Sequence, residues 1–478
     1  MMSARPSPPP RPAALSAERS PIPAYTGIGL RFPHHRVVAE SRPDIAWFEV
    51  HTENYMGGGT PLGYLETIRD DVFAFSRHNG HPRFFGYVSS PGTPVTAIGS
   101  LISSTLNANV TCWRSGPAAT ELEFVTLRWL KEMLGYPAGA AGLLVSGGSM
   151  ANFAGLAAAR SARAPANVVR DGMTAAGARM CVYVSEEGHF SIRKAAAMLG
   201  IGAANVRSIK TDRRLRMDLA DLDRVVRDDR AAGHLPCCLV GSAGTVASGA
   251  FDPIGGLADF ARRENLWLHV DAAYGGFAVL APSARQLFER IGEADSVALD
   301  PHKWLYLPVG CGCILYKDPA AARAAFGEDA DYTRVLGLEQ DEAFAFWDYG
   351  PELSRPFRAL DLWLQLKSVG AAALGEAIEG NIACAKYFEE LVTASDDFEM
   401  LAPVPLSIFC FRYRPPGFTG DLDALNERML IALQRGGSSY LSNARIEGKF
   451  ALRGCVLNYR TRGQDMERLL IDLRSAVG

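Results

Sequence analysis

Lys303 lies in the stretch Ser296 to Cys313, SVALDPHKWLYLPVGCGC, where an apolar strand-like run, Val297–Leu299, leads into Asp300-Pro301-His302-Lys303-Trp304. A lysine enclosed by apolar and aromatic neighbours is disfavoured as an ammonium, and the neutral amine is the form that adds to a carbonyl. Taken alone, the pentapeptide fits a lysine snorkelling from a strand end equally well. Four further stretches bear on the choice. Gly142–Val145 feeds Ser146-Gly147-Gly148-Ser149 and an Ala-rich helix, Ala151–Arg160. Glycines that admit close backbone approach, amides at a helix start and the Ser149 hydroxyl suit an anion. The turn has neither the lysine of a P-loop nor the glycine spacing of a dinucleotide fingerprint. The runs Cys181–Val184, Cys238–Ser242 and Leu266–Val270 deliver His189, Thr245 and Asp271 just beyond their ends.

The elements that position these residues read as alternating apolar strands and helices, the pattern of an α/β chain with a largely parallel, doubly wound sheet. Such sheets bind ligands outside the carboxyl ends of their strands. A phosphate-bearing aldehyde with a basic ring nitrogen, of which pyridoxal phosphate is the biological example, uses every residue of the set. Lys303 bonds the aldehyde carbon and Asp271 keeps the ring nitrogen protonated. His189 stacks on the ring, Gly148, Ser149 and His302 meet the phosphate, and Thr245 bonds a ring substituent. Around this set the spacing predicts an aromatic extended segment over Asn79–Tyr87 and helices over Pro94–Leu106, Thr120–Leu134 and Ala371–Thr393. Thr120 and Glu123 form a capping-box pattern, and Pro137 ends that helix. Strands are expected at Leu406–Tyr413 and Cys455–Tyr459, and a closing helix at Gln464–Val477.

The motifs SGGSMANFAGL, EEGHFS, SAGTVASGAFDP, HVDAAYGG and LDPHKW resemble those of the group II pyridoxal-phosphate-dependent amino-acid decarboxylases, which include aromatic-amino-acid, tyrosine, histidine and glutamate decarboxylases. The likeness runs from about Asn79 to the C-terminus. It implies an aspartate-aminotransferase-type (fold type I) large domain, a small C-terminal α/β domain and a homodimer with active sites at the subunit boundary. It also implies that Lys303 carries the cofactor, that Asp271 faces the pyridine nitrogen and that His189 stacks. Tyr332 falls where a loop tyrosine returns a proton after carbon dioxide leaves. Arg355 and Arg358 fall in a segment near the active site. Asn79, Tyr87, Val88, Asn109, Thr111 and Arg355 fall at substrate-pocket positions, where the small and polar types favour a smaller or more polar side chain. The expected activity is decarboxylation of an L-amino acid to its amine. Oxidative release of an aldehyde, another fold type I lyase and a non-catalytic binding protein stay open as alternatives.

The N-terminus departs from that family. Residues 1–21 are rich in Pro, Ala, Ser and Arg and are expected to be disordered. In residues 22–75, Gly27-Ile28-Gly29-Leu30-Arg31 with His34 or His35, then Trp47 to Tyr55 with Glu49, His51 and Glu53, resembles the opening of a barrel-fold family of iron-dependent enzymes that modify ribosomally made peptides. The further ligands of that barrel do not follow, so no metal is expected. The remaining boundaries are a large domain over 76–365 and a small one over 366–478. A net charge of −3, with 48% hydrophobic and 21% charged residues, gives no reason to expect nucleic acid or membrane as a partner. No apolar run is long enough to span a bilayer and no secretory signal is seen, so a cytoplasmic location is expected, with the nine cysteines reduced.

Overall fold

The computed structural model describes residues 28–30, 48–50, 79–327 and 344–476, and the chain divides into two units, residues 1–78 and 79–478. In the first, β1 (Ile28–Leu30) pairs in parallel with β2 (Phe48–Val50). The Pro-rich tail, His34, His35, His51 and Glu53 lie outside the described residues.

The second unit opens with turns. The sequence predicts an extended segment over 79–87, but only Phe84 forms a bridge, to Tyr440. Helix α1 (Pro94–Leu106) starts on Thr93, whose hydroxyl accepts from the Thr96 amide. Helix α2 (Pro117–Leu134) starts three residues before the expected position, with Gly116 as its cap. Pro117 pre-sets the helical φ at the first position, and Glu123 is buried and accepts from the Leu144 amide at 2.8 Å instead of closing a capping box.

From here strands and helices alternate: β3 (Ala141–Val145), α3 (Gly148–Arg163), β4 (Met180–Ser185), α4 (Ser191–Met198), β5 (Val206–Ile209), α5 (Leu219–Ala231), β6 (Leu235–Ser242), α6 (Ile254–Glu264), β7 (Trp267–Ala272) and β8 (Ser296–Leu299). The one-turn helix α7 (Pro301–Trp304) then leads to β9 (Gly312–Tyr316) and α8 (Pro319–Phe326). The seven strands lie in the order β3-β9-β8-β7-β6-β4-β5. Strands β8, β7, β6, β4 and β5 are parallel, while β9 runs antiparallel to both β8 and β3. The short connection from β8 to β9 returns the chain beside the strand it left, whereas a parallel partner needs a longer crossover. Strands β4, β7, β8 and β9 are buried along their whole length, which is why they read as unbroken apolar runs.

After α9 (Arg358–Ser368) and the long α10 (Gly370–Thr393) come β10 (Phe398–Met400), β11 (Ile408–Tyr413), α11 (Leu422–Gly436), β12 (Ser442–Ile446), β13 (Lys449–Cys455) and α12 (Gly463–Ser475). The strands form an antiparallel sheet, order β10-β11-β13-β12. Phe388, Phe409, Phe411, Met429, Leu452 and Met466 form a second core against it. The last strand ends at Cys455, where the sequence predicts its start. Beyond it the Asn458 carbonyl accepts from Asn381 and the Asn458 amide group donates to the Gly80 carbonyl, so this segment is bonded outside the sheet. Among the described residues no helix is long and apolar enough to cross a membrane.

Candidate active site

A cavity of about 310 Å³ opens at the carboxyl ends of the parallel strands. Gly148, Ser149, His189, Thr245, Asp271, His302 and Lys303, dispersed over some 150 residues of chain, all line it. The substrate-pocket residues expected from the sequence do not. Asn79, Tyr87, Val88, Asn109, Thr111 and Arg355 are absent from its walls, and Tyr332 lies outside the described residues.

Lys303 sits in α7, with its side chain 16% exposed and Nζ 2.9 Å from Asp300 Oδ2. Its enclosure is therefore not purely apolar, as the sequence suggests: the group its amine meets is a carboxylate. Asp300 is 4% exposed, and its Oδ1 is buried without a hydrogen-bond partner. His302 donates from Nδ1 to the Cys311 carbonyl at 2.7 Å, which leaves Nε2 for a ligand. The buried Trp304 stacks on Tyr274 at 5.0 Å, and Tyr274 reaches across to Ser407 at 2.8 Å.

Asp271 lies within β7 and not beyond its end. Its Oδ2 accepts from Asn152 Nδ2 at 2.8 Å, and its Oδ1 accepts from the Ala273 amide at 3.2 Å. The His189 Nδ1 is 2.7 Å from Ser191 Oγ. Burial holds the His189 imidazolium below its ordinary range, with nearby Asp271 acting in the opposite sense. Thr245 keeps its hydroxyl within its own loop, 3.0 Å from Ser248 Oγ and accepting from the Ala250 amide at 3.1 Å. It shapes the wall, and the ring contact expected of it is not needed to account for its position.

The first turn of α3 forms the cavity floor. A Cβ on Gly148 meets Ala273 Cβ at 2.7 Å and Asp300 Oδ2 at 2.8 Å, and one on Gly147, whose φ is +156°, lies 3.3 Å from His302 Cε1. Both positions therefore need glycine for the helix start to approach the wall this closely. The first amides of a 16-residue helix have no intrahelical acceptor, and the helix dipole favours negative charge there. A phosphate at this floor, an aldehyde at Lys303 and a ring nitrogen at Asp271 match the donor and acceptor set, so the residues present fit pyridoxal phosphate.

Arg355 belongs to the packing instead. Its side chain is fully buried with Glu123, at 2.5 Å. It donates to the carbonyls of Val110 and Leu144, and its guanidinium stacks over Phe346 at 4.1 Å. Asn109 accepts from the Arg355 amide, Thr111 is buried, and Tyr87 is 57% exposed in a left-handed conformation, φ 57°. Cys181, Asp229 and His234 also cluster, but one Arg207 nitrogen lies 3.3, 2.8 and 3.1 Å from the three, so a guanidinium already fills the place of a cation.

Sequence reasoning missed Asn152 and Asp300 in the cavity wall, and Ser191 and His269 behind it. A signal existed for His269, which precedes Asp271 by two residues and so shares its strand face. Asn152 stands out as an amide on an otherwise Ala-rich helix.

The comparisons agree with this geometry. A family described as the pyridoxal-dependent decarboxylase conserved domain matches residues 62–414, and one described as RiPP precursor modification enzyme MbnB/TglH/ChrH matches residues 25–79. The aromatic-L-amino-acid decarboxylase of Bacillus atrophaeus is 33% identical over 420 residues, covering 87% of this chain and 86% of that protein. Tryptophan decarboxylase 1 of Oryza sativa is 32% identical, covering 82% and 79%. Among solved structures, Oryza sativa TDC with PLP and tryptamine and mouse CSAD each superpose with a TM-score of 0.81 at 29% identity over 88% of both chains. With the lysine, the carboxylate and the glycine floor gathered at one sheet edge and this family spanning most of the length, the chain belongs to the pyridoxal-dependent decarboxylases, and pyridoxal phosphate is its cofactor.

Proposed function

We propose that this carboxy-lyase removes the α-carboxylate of an L-amino acid as carbon dioxide and releases the amine, with Lys303, Asp271 and His189 as the groups that act on cofactor and substrate. Pyridoxal phosphate, when bound, supplies the aldehyde that captures the amino nitrogen and the ring that withdraws electrons from the breaking bond. Lys303 offers the amine that holds the aldehyde before substrate arrives, and Asp300 Oδ2 is placed to hold that amine once it is displaced. Asp271 keeps the proton on the ring nitrogen. Ser149, Gly148 and His302 anchor the phosphate, and His189 covers the ring. Tyr332 returns the proton to carbon, a role that rests on its place in the sequence. The convergence of Lys303 and Asp271 on one cavity is the observation that carries the reading.

The division into a large domain over 76–365 and a small one over 366–478 is part of the same proposal, supported by the separate core of the second sheet. So is a homodimer in the cytoplasm. Ile98, Ile102 and Leu106, 55%, 42% and 61% exposed, form a stripe at helical spacing on α1, a face suited to a second copy.

Borohydride reduction tests the lysine. It should fix the cofactor to the wild-type chain in a peptide containing Lys303 and leave Lys303→Ala unlabelled; labelling of Lys303→Ala removes the assignment. Incubating the loaded protein with the twenty amino acids, with carbon dioxide, amine, aldehyde and oxygen uptake all measured, names the substrate. Aldehyde with oxygen consumption in place of amine overturns the simple decarboxylase reading.

A further inference from the structure

From Asp271 and Asn152 in the cavity wall a row of buried polar side chains runs back into the core, and its donors and acceptors fit together in one way only. Asp271 Oδ2 accepts hydrogen bonds and has none to give, so the Asn152 atom 2.8 Å from it is the amide nitrogen. That nitrogen also lies 2.9 Å from Ser191 Oγ. Asn152 Oδ1 therefore points the other way, 2.9 Å from His269 Nε2, which must donate. A neutral imidazole with its proton on Nε2 accepts at Nδ1, and Ser296 Oγ lies 2.8 Å from that atom. Trp267 Nε1, a donor only, completes the row 2.8 Å from Ser296 Oγ. Every member has one direction: Trp267 to Ser296, Ser296 to His269, His269 to Asn152, and Asn152 to both Asp271 and Ser191.

The row ends on His189. Ser191 Oγ accepts a hydrogen bond from Asn152, and its own O–H is directed at His189 Nδ1 at 2.7 Å. The Ser191 backbone amide also points at Nδ1, at 3.3 Å. Two donors on one nitrogen require it to be bare. The backbone makes room for this arrangement at Gly155, where a Cβ would lie 2.5 Å from two atoms of the His269 ring. His269 is fully buried, and burial lowers it to about 4, so it is neutral at physiological pH.

We propose that Asn152 and His269 are positioning residues that impose one hydrogen-bond direction on the wall, holding His189 as the tautomer with its proton on Nε2 and aiming the Asp271 carboxylate. His189 is then a hydrogen-bond donor towards the cavity from Nε2, and it exchanges no proton through Nδ1. The consequence for catalysis rests on the proposed roles of His189 and Asp271; the tautomer itself does not.

The tautomer is read on cofactor-free protein, so this test is separate from that of Lys303. Solid-state NMR of sedimented protein with ring-15N histidine reports which nitrogen of each of the nine histidines carries the proton. His189→Asn and His269→Gln spectra assign the two rings. Both are expected as Nε2–H. A His189 proton on Nδ1, or an even mixture, overturns the proposal. In Asn152→Ala and His269→Phe the His189 signal is expected to become a mixture, and with cofactor kcat should fall about tenfold or more with little change in KM, the range seen when groups supporting a catalytic residue are lost. His269→Gln, which keeps an N–H for Asn152, is expected to recover most of that loss. An unchanged His189 signal in Asn152→Ala, or no recovery in His269→Gln, counts against the directional role.

Discussion

Asp271 and His189 illustrate how little of a residue's chemistry resides in the residue. The Asp271 carboxylate is aimed by Asn152 and the Ala273 amide, and it shares a cavity with Lys303. Replacing it by Asn keeps the shape and removes the charge proposed to hold a proton on the ring nitrogen. We expect Asp271→Asn to fold normally and to lose about 100-fold or more in kcat/KM, the scale of removing a preorganised electrostatic group; a loss under tenfold would contradict its role. His269 makes a different prediction. It lies at about 4 in the fold against an ordinary 6.5, so the unfolded chain binds a proton that the native state refuses between those values. Its stabilising effect is complete above about pH 6.5 and is lost as pH falls towards 4, on the order of a few kcal/mol at about 1.4 kcal/mol per unit. Thermal unfolding of cofactor-free wild type should therefore fall relative to His269→Gln on going from pH 7.5 to 4.5, and a constant difference would exclude this group as a source of acid sensitivity. That Lys303, Asp271 and His189 meet at one cavity was legible because each follows an apolar run with the character of a buried strand. Their supporting residues were not, because the partner of Asn152 lies 119 residues away.

At the scale of elements, the site depends on how closely α3 packs on the sheet. Gly155 has no room for a side chain against His269. Gly155→Ala should lower the melting temperature despite the roughly 1 kcal/mol that alanine gains in a helix, since forced overpacking costs about 1–3 kcal/mol. Gly380, in the middle of α10, has open space where an alanine methyl would sit, with nothing within 4 Å, and Gly380→Ala should raise it by the same propensity term. Opposite shifts at two helical glycines separate packing from propensity, and both falling together would show that propensity alone does not govern α10. The helices themselves were readable from periodicity, with α1 found at its observed ends. The start of α2 is hidden because a Thr-x-x-Glu pattern looks the same whether the glutamate caps a helix or is buried against an arginine more than 200 residues on, as Glu123 is against Arg355.

At the scale of the molecule, the α1 stripe and the proposed dependence of the site on a second copy can be tested together. If Ile98, Ile102 and Leu106 meet a second copy, Ile98→Glu with Ile102→Glu should convert a dimer to a monomer in light scattering and abolish activity while leaving the monomer folded; an active monomer would show that one chain completes the site. The alternation of strands and helices, a largely parallel sheet and the polar residues at its strand ends were determined by sequence, because buried strands need unbroken apolar runs and helices need their own period, whereas the count of seven strands and the antiparallel β9 came from the structure. A cofactor with a phosphate, an aldehyde and a ring nitrogen followed from residue types at those ends. Only the tertiary structure decided which polar residues face the cavity. Arg355 and Thr111 looked like pocket residues and are buried in packing, while Asn152 and His269, which sequence reasoning did not single out, form a hydrogen-bonded row that ends on Asp271. The reason is physical: burial and hydrogen-bond direction are set by neighbours brought together from distant parts of the chain, and local sequence carries a record of periodicity but none of those encounters.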